Sequence, residues 1–300
     1  MPKTKERTRM ADKRRIGDRK DGKLLRDIDG MHVVMPIIYP NRCDNEAFIS
    51  ERIDLTNINK YLERLNADSP EFKYTIFHLI VTAIVKCIYL RPKMNRFIAN
   101  KNLYQRNEVS AAFVVKKYFG DESHEGLAFL HTTPETNIFT VHDDIKRQVT
   151  GYRGGKNDKS SDALDVFAKM PRFLTKFLLG IIRFLDVHGK VPQSLIETDP
   201  YYSSVVLTNL GSIKLRSGYH HLTNWGTNSL FLAVGEKKMR PFWNADGTYE
   251  MRDSVDIGIT VDERIADGYY YSKTVKLFKY ILENPELLEL PASGDVEIPK

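Results

Sequence analysis

The stretch Asp262-Glu263-Arg264-Ile265-Ala266-Asp267-Gly268 lies between a predicted strand at 255–261 and a predicted helix at about 270–283. Asn284-Pro285 stops that helix. Upstream, residues 204–207 and 229–234 read as strands, so the last third of the chain is β-rich until its final helix. Before them, 164–185 is an amphipathic helical region interrupted at Pro171. Its apolar stripe is Phe173, Leu174, Phe177, Leu178, Ile181, Ile182 and Leu185, with Arg172, Lys176 and Arg183 outside it.

Working back toward the N-terminus, 151–161 is a Gly- and Asn-rich loop and 143–149 is helical. Short strands are expected at 97–99, 103–104, 111–115, 127–131 and 139–141. The most apolar helix is 75–90, stopped by Pro92; its His78 reads as a packed or exposed ring, since no second metal ligand stands at helical spacing. Residues 32–39 and 48–53 read as strands, and 54–65 as a helix with Leu55, Ile58 and Leu62 on one face. Strands alternating with helices predict a mixed α/β layer fold.

Composition narrows the class. An apolar share of 42% and a charged share of 28% are those of a globular chain. Cys43 and Cys87 fit neither a metal spacing nor a disulfide framework, which points to a reducing, cytoplasmic setting. No secretory leader and no bilayer-long apolar run is read. Residues 1–30 hold eleven Lys/Arg against six Asp/Glu, which accounts for most of the net charge of +6. They are expected to form a flexible basic tail. Mixed charge signs without interleaved aromatics argue against a nucleic-acid partner.

The heptapeptide resembles the Asp-His-Arg-x-x-Asp-Gly signature of the 2-oxoacid dehydrogenase acyltransferases, to which the His-His-x-x-x-Asp-Gly of chloramphenicol acetyltransferases is related. Three further stretches are similar to this family. They are Leu207-Thr208-Asn209-Leu210-Gly211-Ser212-Ile213, the ending Asn284-Pro285-Glu286-Leu287-Leu288, and Phe48 to Thr56 with Arg42 twelve residues before Asp54. The resemblance implies a chloramphenicol acetyltransferase-like CoA-dependent acyltransferase fold, a mixed sheet with flanking helices, over about 31–290. It leaves a helical insertion at about 160–190 and a C-terminal tail at 291–300. No lipoyl or subunit-binding domain is read ahead of it.

The resemblance also implies a chemistry: acyl transfer between CoA and a small thiol or hydroxyl acceptor, at a site shared between subunits of a homotrimer, without a metal. In it Thr208 would stabilise the oxyanion, and Asp267 would orient the site by pairing with Arg42. Arg264 is retained from the signature, but Glu263 stands where the family has its catalytic histidine. An ordinary carboxylate titrates near ~4.3 and a thiol near ~8.5, so a carboxylate is the poorer base, and its charge opposes a developing oxyanion. His220 and His221, in the loop 217–226, are the candidate replacements, ahead of His131 and His142. Tyr269, Tyr270 and Tyr271 either narrow the acceptor channel or pack between helix and sheet.

Two functions therefore compete. One is a free-standing acyl-CoA-dependent acyltransferase with a rearranged proton acceptor. The other is a non-catalytic relative that binds CoA esters or serves as an oligomeric scaffold. Peripheral membrane contact through the basic tail and the 173–185 stripe is compatible with either.

Overall fold

The computed structural model describes residues 14–116, 125–154 and 167–297. Six strands make the main sheet: β2 (Glu46–Asp54), β5 (Ser110–Lys116), β6 (Glu125–His131), β7 (Val205–Asn209), β8 (Leu230–Trp243) and β9 (Tyr249–Asp262), in the order β2-β9-β8-β7-β5-β6. Neighbours are antiparallel except β5–β7 and β7–β8, which run parallel. A small sheet of β1 (Gly22–Leu24), β4 (Asn102–Arg106) and β3 (Arg96–Ala99) stands beside it.

The helices described in full are α1 (Gly30–Ile38), α2 (Thr56–Leu65), α3 (Ile76–Leu90), α4 (Ile138–Arg153), α5 (Arg172–Val187), the short α6 (Gln193–Ile196) and α7 (Gly268–Glu283). α3 is apolar nearly all round and is buried from His78 through Ile88, which makes it the spine of the core. The inner sheet face (Ile53, Phe113, Leu207, Leu232, Ile257, Ile259) packs into the same cluster, with Phe278 and Ile281 of α7. This is the mixed sheet with flanking helices that the resemblance implied.

Several elements differ from their sequence reading. Residues 32–38 fall in helix α1 and Tyr39 follows as its C-cap, so this stretch is not a strand. The Asp29 side chain accepts from the His32 backbone N–H and fixes the first turn, an effect stronger than the Val33-Val34 and Ile37-Ile38 propensity. Residues 139–141 belong to α4, because Asn137 caps the N–H groups of Phe139 and Thr140.

The basic N-terminal stretch is structured from within residues 14–30. Arg19 is buried, bonded to Asp21 and reaching Asp186 of α5 at 2.7 Å, while β1 pairs with β4. Residues 1–13 of the expected tail lie outside the described residues. The C-terminal tail is also packed at its start. Ala292 is buried with its N–H on the Thr136 carbonyl, and the Pro291 carbonyl accepts from Lys86. Of the expected helical insertion, α5 is present; residues 155–166, including most of the predicted loop, lie outside the described residues.

Candidate active site

A cleft of about 660 Å³ opens at the C-terminal ends of β5 and β7, between the N-terminus of α3 and one side of α4. Thr208 and His220 both line it, with Phe113, His78 and Phe231 among its walls. Thr208 is the first half-buried residue after the buried Val205-Val206-Leu207 run, so it stands where β7 emerges from the core. Asn209 then accepts from the Ser212 N–H and turns the chain into a short 3-10 helix.

From there the chain doubles back across the sheet. The Glu236 N–H donates to the Leu215 carbonyl, and the Ser217 hydroxyl to the Ala233 carbonyl. This crossing requires glycine beneath it. A Cβ on Gly258 would lie 1.9 Å from the Gly218 carbonyl oxygen, and one on Gly235 would lie 2.4 Å from the Ser217 nitrogen. The far end of the loop is pinned by Trp225, whose indole N–H donates to Asp199 at 2.7 Å; burial pushes that carboxyl above its ordinary range.

The crossing lays the His220 ring on Phe231, with centroids 4.2 Å apart and planes nearly parallel. His220 Nδ1 is 3.0 Å from the His221 carbonyl, and a carbonyl only accepts, so Nδ1 carries the proton. Nε2 is left as the acceptor nitrogen of the ring. His221 is exposed and does not line the cleft.

His78 has the reverse tautomer. Its Nδ1 accepts from the Thr75 backbone N–H at 3.0 Å within a capping box, so Nε2 carries the hydrogen and has no hydrogen-bond partner. Burial pulls its pKa down to about 4, with His142 adding to the shift, so the ring is neutral near pH 7. His142 packs against Tyr74 and donates from Nε2 to the Phe72 carbonyl. His131 pairs with Ser110 at the other end of β5, away from the cleft.

The signature residues gather elsewhere. Asp262 is fully buried and holds the Arg264 guanidinium by two bonds of 2.8 and 2.6 Å. Arg264 also donates to the Tyr39 carbonyl at the end of α1. Arg42 lies 3.7 Å from Asp262, and its other bonds go to the carbonyls of Ile98, Thr223 and Gly226. Burial pulls the Arg42 guanidinium below the usual arginine range, and Asp262 opposes that shift.

The expected Arg42–Asp267 pair is therefore not formed. Asp267 is exposed and caps α7, accepting from the Tyr270 N–H at 2.8 Å; its carboxyl is held below the usual range mainly by that bond. The partner of Arg42 is Asp262, the first residue of the signature, which the sequence reading passed over. Among the three tyrosines, Tyr270 packs on the Arg91 guanidinium while Tyr269 is exposed.

Glu263 is exposed on the turn between β9 and α7 and does not line the cleft. Thr208 is level with Ala233 and Gly258 across the sheet. Glu263 therefore lies two strands over and five residues farther along, roughly 15–20 Å from Thr208. Within one chain the two cannot act on the same atom. Among the described residues no group of three or more His, Cys, Asp or Glu could hold a metal.

Solved structures share this arrangement of strands and helices, which is the chloramphenicol acetyltransferase-like fold. A probable dihydrolipoamide acetyltransferase from Listeria monocytogenes 4b F2365 is similar at 14% identity and TM-score 0.57, covering 87% of this chain and 95% of that one. The cubic core of a pyruvate dehydrogenase multienzyme complex matches at 13% and 0.58, covering 89% and 94%. A chloramphenicol acetyltransferase matches at 12% and 0.51, covering 88% and 98%. Residues 193–290 match the family described as 2-oxoacid dehydrogenases acyltransferase (catalytic domain), which bears out the resemblance read from the signature. No curated protein matches the chain by sequence.

Proposed function

We propose that the protein is a CoA-dependent acyltransferase whose site is assembled between subunits of a homotrimer, with His220 replacing the family's histidine as proton acceptor. The observation that carries this reading is that Thr208 and His220 line one cleft. The acceptor's S–H or O–H proton passes to His220 Nε2 as its sulfur or oxygen attacks the thioester carbonyl carbon. Thr208 donates to the oxyanion. The C–S bond to CoA then breaks, and the CoA sulfur takes the proton back.

Glu263 belongs to the cleft of the neighbouring subunit, where its carboxylate stabilises the imidazolium. The face of α1 beside it fits a subunit contact: Met31, Val34, Ile37 and Ile38 are exposed, and Arg264 ties that helix to the Glu263 turn. The free Cys43 and Cys87 fit a cytoplasmic setting.

The test is acyl transfer over a panel of acyl-CoA donors with thiol and hydroxyl acceptors. Thr208→Ala, His220→Ala and Glu263→Gln should each lower turnover. Mixing inactive Thr208→Ala and Glu263→Gln chains under conditions of subunit exchange should restore about a quarter of the sites, since random assembly leaves that share with both contributors intact. A second reading rests on the carboxylate at position 263: a non-catalytic CoA-ester-binding scaffold. Binding of acetyl-CoA without turnover, with activity appearing in Glu263→His, would select it. Absence of both binding and turnover would refute both readings.

A further inference from the structure

Helix α5 has an outer face that no described part of the chain covers. None of its residues is fully buried. Leu174, Leu178, Ile182 and Leu185 are half-buried on the side toward the protein. Phe173, Phe177 and Phe184 are 76%, 65% and 63% exposed, joined by Ile181 and Val187. These five follow helical spacing and form one stripe down the solvent side.

Arg172, Lys176 and Arg183 each precede one of the three phenylalanines, so they lie in a row about 100° around the helix, along one flank of the stripe. The only acid in α5, Asp186, is taken up by Arg19, which also holds the helix's C-terminal end against the N-terminal arm. Among the described residues no acid pairs with this row, and aromatic rings beside such a row of cations are the chemistry of a helix lying in the headgroup layer of an anionic bilayer. At 16 residues α5 is too short to cross one. An antiparallel pairing of two such faces from separate copies would set the cation rows on the same side, close together.

We propose that α5 is a membrane-surface helix that docks the protein on anionic lipid, its phenylalanines inserted and its Arg/Lys row at the headgroups. This stands independently of the acyl-transfer reading.

The experiment is flotation of the full chain with phosphatidylcholine vesicles, with and without phosphatidylserine, at low and high salt. The oligomeric state is followed on the same samples. The wild type should float only with phosphatidylserine, and less at high salt. Phe173→Ser/Phe177→Ser/Phe184→Ser should weaken partitioning at least about tenfold, and Arg172→Glu/Lys176→Glu/Arg183→Glu at least about a hundredfold. Circular dichroism should show that both variants remain folded. If either is not, Phe177→Ser alone and Lys176→Glu alone take their place.

No flotation of the wild type would overturn the proposal. Flotation unaffected by the phenylalanine changes would place the contact elsewhere on the basic surface and also overturn it. Loss of oligomerisation in the phenylalanine variant, without vesicle binding by the wild type, would identify the stripe as a contact between copies.

Discussion

Replacing Asp262 by alanine is expected to destabilise the fold by about 3–5 kcal/mol, because it leaves two buried guanidinium groups without their shared counter-charge. Arg264 is 3% exposed and donates two of its closest bonds to this carboxylate; Arg42 is 5% exposed, and its Nε has no hydrogen-bond acceptor, only Asp262 at 3.7 Å. For a chain of this size the loss corresponds to a fall in Tm of roughly 5–8 °C. Thermal and urea unfolding followed by circular dichroism would read it. Asp262→Asn, which keeps the shape and can still accept hydrogen bonds, should fall between the wild type and alanine. Asp262→Ala/Arg264→Met should recover part of the loss by removing one stranded charge together with its partner. A Tm within about 2 °C of wild type for Asp262→Ala would refute the claim that this carboxylate holds the two arginines in place.

His78 gives a pH dependence whose sign is fixed by its depressed pKa. The unfolded ring binds a proton below about 6.5 and the folded ring only near 4, so stability is full above about 6.5 and declines by up to about 3 kcal/mol as pH falls toward 4. His78→Phe should flatten that part of a urea-midpoint profile; an unchanged slope would exclude His78 as its source. Gly258→Ala should cost about 1–3 kcal/mol and shift the loop carrying His220, since the new methyl meets the Gly218 carbonyl; crystallography of the variant would show whether the ring leaves Phe231. Arg19→Ala should strand Asp21 and Asp186 and loosen α5. Hydrogen exchange over Arg172–Val187 should then rise by at least about tenfold while α3 stays protected.

The core of the fold was legible wherever periodicity and burial agree, as in α3, β2 and the 255–261 strand. It was illegible where a single cap overrides propensity. Asp29 and Asn137 each turn an apparent β run into a helix, and neither effect is visible in the apolar pattern itself. The basic arm read as solvated because charge was counted without its partners. Asp186, which balances Arg19, lies 167 residues away and shares no local pattern with it.

The candidate site divides along the same line. Thr208 and His220 were singled out from a motif and a loop, and both line one cleft. The Arg42 partner was misassigned because Asp262 and Asp267 are both acids of one heptapeptide. Only the turn after β9 decides which of them faces inward. The distance of Glu263 from Thr208 follows from strand register, which no residue type announces.

The sheet order has a consequence for the chain as it is being made. Among the described strands β9 is the last to leave the ribosome, yet it stands inside the sheet, with β2 on one side and β8 on the other. Until β9 is available β2 has no described strand to pair with, and until residue 262 is made the Arg42 side chain lacks the Asp262 carboxylate that faces it. The nascent protein therefore carries an open strand edge through most of its synthesis, and the sheet closes only once β9 is available. Such a chain depends on shelter from aggregation during translation, and a stop or frameshift between β8 and β9 would leave the open edge in place permanently.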